Sequence, residues 1–121
     1  MGHNLEVMNC WNALETAFLT SSTFTAELKE EVRRVLAFMN QCEYCMSKGV
    51  PSNSIESERT RKAVEFAKLW KNHLEISELA IASLKEHFTD AEISELCALI
   101  SFLCASQRFG SGLGLKPFCR I

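Results

Sequence analysis

Proline is nearly absent from this chain of 121 residues: only Pro51 and Pro117 occur, and of five glycines all but Gly2 and Gly49 follow Phe109. The residues that break helices are therefore scarce over most of the length, which leaves long segments open to helix. No stretch alternates apolar and polar side chains with period two, so no strand is predicted, and there is no internal repeat or low-complexity tract. No apolar run reaches the ~20 residues that a membrane span needs. The 13 basic and 15 acidic residues are interspersed and sum to a net charge of −2, so the basic footprint of a nucleic-acid-binding protein is missing. The opening residues Met1 to Glu6 show no basic region followed by an apolar core, and a cytoplasmic location is expected. Cysteine is the exception to this plainness, with six in the chain. In a reducing compartment they are expected to be mostly free thiols, with no disulfide scaffold.

The 47% hydrophobic content suits one domain over residues 1–121 with a modest core. Apolar residues near period 3.6 predict a first helix from Leu5 to about Thr20, through Leu5, Met8, Leu14 and Phe18. Thr25 is a candidate cap for a second helix to about Met39, with Leu28, Val32, Val35 and Leu36 facing inward. After an interruption at Asn40-Gln41, a short third helix is predicted from Cys42 to Lys48 and ends at Gly49-Val50-Pro51. A fourth covers Glu56 to Lys71 and a fifth Ser77 to about His87. Thr89-Asp90-Ala91-Glu92 reads as a capping box opening a sixth helix to about Phe109, apolar on several sides and so expected to be the most buried. The glycines after Phe109 read as its terminator. The fold class is all-α, with six helices and more apolar surface than one small domain can bury, so an oligomer is expected.

Cys42-Glu43-Tyr44-Cys45 carries the chemistry. Two thiols at this spacing close a small disulfide ring and can cycle between dithiol and disulfide. The same spacing also supplies half of a zinc site, but the other half is not evident. His3, His73 and His87 are scattered, and only Cys97 with Cys104, seven residues apart on one helix face, offers further ligands. A third reading makes both cysteines ordinary small core residues. No metal and no cofactor is implied. Glu30 stands twelve residues before Cys42, about 18 Å away along a straight helix at about 1.5 Å per residue. If the break at Asn40-Gln41 folds the third helix back along the second, Glu30 reaches the thiols and serves as proton acceptor. Otherwise it is a solvated acid beside Lys29 and Arg34.

The run from Glu30 to Cys45, EEVRRVLAFMNQCEYC, resembles the core motif of the carboxymuconolactone decarboxylase family, in its alkylhydroperoxidase D-like branch. There a Glu precedes the cysteine pair at this distance, often through a segment like LNxCxYC. Phe88 to Leu96, FTDAEISEL, resembles that family's F-[ST]-[DE]-x-E-[IL]-x-E-[LI] segment, and the stretch from Phe102 to Leu115 its closing FNRxxNxLG region. The likeness covers about residues 25–115. It implies an all-helical protein working as a homo-oligomer, a trimer or hexamer, that reduces peroxides or disulfides with an external dithiol. It also implies Cys42 and Cys45 as the redox pair and Glu30 as the relay carboxylate, buried beside the sulfurs with a raised pKa. The peroxidase branch carries a His four residues after the second cysteine, where this chain has Gly49, and sometimes one between the cysteines, where it has Tyr44. The imidazole suited to moving protons near neutral pH is thus missing. A non-enzymatic redox sensor and a decarboxylase like the family's name-giving members are the alternative functions. The thiol pair speaks against the decarboxylase, which needs no redox thiols. Being nearer the helix start, Cys42 is slightly favoured as the attacking thiol.

Overall fold

The computed structural model describes residues 4–116, and among these it contains six α-helices and no strand. Cys119 and Pro117 lie outside the described residues. Helix α1 (Leu5–Thr20) is capped by Asn4, whose side chain accepts from the Val7 N–H. Helix α2 (Ala26–Met39) is capped by Thr25, which accepts from the Leu28 N–H. Four residues, Glu43–Met46, form α3, with Cys42 itself as the N-cap. Helices α4 (Glu58–Asn72) and α5 (Glu78–Lys85) start behind Ser57 and Ser77, each hydroxyl accepting from the N–H three residues on. Both begin one or two residues later than periodicity suggests, because the capping serines lie outside the helix they terminate.

The core joins one face of α2 (Leu28, Val32, Val35, Leu36) to Ala63, Val64, Phe66 and Ala67 of α4 and to Leu96, Leu99 and Ile100 of α6. Small Ala63 and Ala67, both fully buried, let α2 and α4 approach closely. Helix α6 runs Asp90–Gly112 and buries seven of its 23 residues, whereas α2 buries six of 14. The expectation that α6 is the most buried helix is therefore corrected. Helix α2 is the hub, packed against α3, α4 and α6, since its short apolar stripe is covered along its whole length.

Helix α6 also passes the predicted stop. Gly110, Ser111 and Gly112 continue it, and the turn comes at Leu113 and Gly114, where φ is +65°. Helix α1, by contrast, has no buried residue and leans on α6 through Trp11 and Phe18, whose rings lie 5.0 and 5.4 Å from that of Phe102. Its C-terminal carbonyls are satisfied by Lys29, whose Nζ donates to the carbonyls of Phe18, Leu19 and Ser21 at 2.9–3.2 Å. No described helix is long and apolar enough to cross a membrane.

The capping box at Thr89 is present, and it is tied to α4. Glu92 accepts from the Thr89 N–H and from the Arg59 guanidinium, and these contacts hold its carboxyl down at about 2, from an ordinary 4.5. A carboxylate with a depressed folded pKa contributes stability that is present above its unfolded pKa and is lost as pH falls through the folded one. The stability advantage of the parent over Glu92→Gln is thus expected to be full at neutral pH and to vanish between 4.5 and about 2. Chemical denaturation of both proteins across that range measures it.

Candidate functional site

The site is made by the reversal between α2 and α3. Asn40 ends α2 in a right-handed conformation, Gln41 takes φ +52°, and the Cys42 N–H turns back to the Ala37 carbonyl at 3.2 Å. A non-glycine residue in the left-handed region costs about 1 kcal/mol, which the surrounding contacts must offset. Two of those contacts come from α6. Asn40 Nδ2 donates to Gln107 Oε1 at 2.9 Å, and Gln107 Nε2 donates to the Arg33 carbonyl at 3.1 Å. Gln107 is 2% exposed, so its amide is a buried polar group spent on holding this turn.

Cys42 and Cys45 form a disulfide with Cα atoms 5.1 Å apart, inside the range the bond requires. Their environments differ. Cys42 is fully buried, and its Sγ accepts the Cys45 N–H at 3.3 Å. Cys45 is half-buried and lines two cavities. The first, of about 410 Å³, lies between α1, α2 and α6 and carries Phe18, Leu19, Leu99, Phe102 and Leu103 with Lys29, Glu30 and Arg33. The second, of about 440 Å³, is walled by Met8, Trp11, Tyr44, Phe109 and Leu115. Glu15, Lys48 and Ser106 border both. The cysteine open to the cavities is therefore Cys45, whereas Cys42, slightly favoured in the sequence as the attacking thiol, is sealed in: N-capping places a side chain against its own helix and here buries it.

The fold-back of α3 along α2 brings Glu30 into the first cavity with Cys45, but its environment is not the expected one. It is 38% exposed and pairs with Arg33 (Nη2 to Oε1, 2.6 Å; Nε to Oε2, 2.9 Å) and with Arg34 (3.0 Å). The Arg33 hydrogen bonds, followed by Arg34, lower its pKa where burial beside anionic sulfur was expected to raise it. Arg33 in turn donates from Nη1 to the Cys45 carbonyl at 3.0 Å. Neither Arg33 nor Gln107 stands out in the sequence. Arg33 lies on the apparently polar side of α2, and Gln107, although seven residues after buried Ile100 and so on the inward stripe of α6, is a polar residue type that is usually found outside.

Gly49 is not one helical turn beyond Cys45 in space, because α3 stops at Met46. Its φ is +142°, and a Cβ there would sit 2.9 Å from Arg34 Nε, so an imidazole has no place at this position. The glycine that matters to the thiols is Gly110. A Cβ on it would fall 2.9 Å from Cys42 Sγ and 4.0 Å from Cys45 Sγ, so α6 packs its bare backbone against the disulfide. The remaining described cysteines are apart from the site. Cys10 is exposed on α1, Cys104 is partly buried against the core, and Cys97 beside it has its pKa raised by burial. Among the described residues no three His, Cys, Asp or Glu side chains gather as a metal site would require.

No family model and no curated protein matches the chain. A solved structure does: an uncharacterized peroxidase-related protein from Silicibacter sp. TM1040 aligns over 94% of this chain and 71% of its own, with a TM-score of 0.81 and 22% identity. At that identity the likeness shows a shared fold.

The Gly110 contact yields a test with an internal control. Gly110→Ala forces the buried Cys42 sulfur to shift, and overpacking of this kind typically costs about 1–3 kcal/mol. Gly112→Ala meets only the mobile end of Arg108, at 3.1 Å. It is expected to be neutral or to gain up to about 1 kcal/mol from helix propensity. Denaturant unfolding of the oxidised proteins should therefore show a loss of stability for the Gly110 variant and none for the Gly112 variant, and the Gly110 variant should close the Cys42–Cys45 disulfide more slowly on mild oxidation.

Proposed function

We propose that this protein is a thiol-dependent oxidoreductase that reduces organic hydroperoxides through the Cys42–Cys45 pair, as expected of an alkylhydroperoxidase D-like protein. The observation that carries the reading is the asymmetry of the disulfide, with one sulfur sealed in the core and the other open to two cavities. The peroxidase-related neighbour in fold is consistent with it. In the proposed cycle the Cys45 thiolate attacks the terminal peroxide oxygen. The S–O bond forms as the O–O bond breaks, the alcohol leaves after taking a proton, and Cys45 becomes a sulfenic acid. Cys42 then attacks that sulfur, the disulfide closes and water leaves. An external dithiol reopens the bond at the accessible Cys45 sulfur, with Cys42 leaving as a thiolate that the Cys45 N–H stabilises. The second thiol of the reductant completes the exchange and frees Cys45. Each turnover converts one hydroperoxide and one dithiol into an alcohol, water and a disulfide. The apolar wall of Phe18, Phe102 and Leu103 suits a peroxide with a hydrocarbon body.

Glu30 enters this reading as the group that holds Arg33, since a carboxylate with a lowered pKa is a weak proton acceptor near neutral pH. A redox sensor is the second reading, favoured by Gly49, whose φ of +142° disfavours any side chain where the relay imidazole would stand. The proposal also includes a homo-oligomer, a trimer or hexamer, supported by the exposed Leu5, Val7, Leu14 and Leu19 of α1. Light scattering that finds a monomer at micromolar concentration counts against that part.

The cycle predicts different lesions at the two cysteines. With cumene hydroperoxide and dithiothreitol, Cys45→Ser and Cys42→Ser should each lose turnover. On addition of hydroperoxide without dithiothreitol, only Cys42→Ser should accumulate a sulfenic acid that dimedone traps at Cys45. A parent protein that forms the disulfide on peroxide addition but turns over no faster than free dithiol would point to the sensor.

A further inference from the structure

The motif this chain resembles loses its imidazole here, yet a thiol near pKa 8.5 is mostly protonated at neutral pH, so something else must favour the Cys45 thiolate. We propose that Arg33 takes the place of the missing imidazole: its guanidinium, clamped by Glu30 and bonded to the Cys45 carbonyl, positions Cys45 and supplies the positive charge that stabilises its thiolate. The inference rests on the reading of Cys45 as the attacking sulfur.

Three geometric facts carry it. Arg33 uses its planar fork in two directions, Nε and Nη2 toward the carboxylate of Glu30 and Nη1 toward the carbonyl oxygen of Cys45. A lysine has no such fork, and the two-sided grip fixes the cation within one residue's reach of the sulfur. Arg33 is only 19% exposed, so its charge is less screened by water than that of a surface side chain. Arg33 and Cys45 also border the same cavity, and the backbone of Arg33 is pinned to α6 by Gln107.

The other charged groups facing Cys45 do not offer an equivalent. From α1 comes Glu15, and from α2 come Lys29 and Glu30. Lys29 has its ammonium on three carbonyls at the end of α1. Lys48, after α3, is exposed, with its ammonium over the Tyr44 ring at 4.6 Å. Helix α6 contributes only neutral groups, Ser106 and Gln107 among them. Glu43 is turned to Lys116 at 2.7 Å. Arg33 is thus the cation bonded directly to the residue that reacts. Proton removal in this arrangement falls to water in the cavity, and the arginine, always charged, acts by electrostatics alone.

The test reads the thiol itself. In a Cys42→Ser background the segment between Arg34 and Lys48 contains Cys45 as its sole cysteine, so iodoacetamide labelling of that peptide, followed by mass spectrometry across pH, reports the Cys45 midpoint. An opposite charge held near a thiolate lowers its pKa, and one unit is tenfold in thiolate fraction, so Arg33→Met should raise the midpoint and slow labelling at neutral pH by about tenfold. Arg33→Lys keeps the charge and should stay closer to the parent. Glu30→Gln removes the neutralising charge at a partly exposed position but keeps an amide oxygen to accept from the Arg33 guanidinium, so it should leave the midpoint level or move it down. An Arg33→Met midpoint equal to the parent's overturns the inference. So does a Glu30→Gln midpoint that rises, which stays informative if Arg33→Met does not fold. Peroxide turnover is measured separately: its absence in a protein whose midpoint follows Arg33 removes the peroxidase reading and leaves the role of Arg33 standing.

Discussion

Everything at this site depends on a left-handed residue at the end of α2. With Gln41 at φ +52°, the chain turns back, the Cys42 N–H finds the Ala37 carbonyl, and α3 lies along α2 instead of prolonging it. A continuous helix would carry the cysteines away from Glu30 and Arg33 and expose both sulfurs. The strain of the turn is local and its compensation is not. Asn40 and Gln107 bridge it to α6, and the burial of Leu36 and Ala37 just upstream holds α2 rigid beneath it. A backbone outlier persists where its surroundings over-determine it, and here they do so from α6 and from the buried end of α2 itself.

The close approach of α6 gives the disulfide its asymmetry. A side chain at position 110 would compete with Cys42 for the same space, so a glycine there lets the helix seal one sulfur while the other stays open. In thiol exchange this sorts the two roles, because an external thiolate can attack only the sulfur it can reach. Sealing also costs hydration of any charge that forms on Cys42, and the Cys45 N–H returns part of that cost.

Helix α1 shows how little packing is needed to shape a cavity. It buries no residue, yet it supplies Phe18 and Leu19 to one cavity, Met8 and Trp11 to the other, and Glu15 to both. Its hold on the rest is a pair of ring contacts at Phe102 and the ammonium of Lys29 on its last carbonyls. Such an element, with few buried contacts, belongs to the low end of local stability.

Helix existence was legible in the sequence because it rests on local physics. Periodic leucines and valines, Thr25 and Thr89 as caps, and the scarcity of proline gave the helical segments, although α3 came out shorter and α6 longer than read. The cysteine pair was legible because its spacing alone allows the ring. Arg34 beside Glu30 was legible from its i+4 spacing, but the reach of Arg33 to the Cys45 carbonyl was not, since an i+3 arginine looks like an ordinary surface partner until α3 folds over it. Gly110 looked like a terminator because a glycine in a helix is usually a fault, and only contact with a sulfur some 68 positions earlier makes it a requirement. The sequence by itself determined the helices, their caps and the pair of thiols, which depend on neighbours a few residues away. Tertiary structure alone decided which cysteine borders the cavities, which arginine bonds its carbonyl and where the cavities lie, since those follow from contacts between residues distant in the chain.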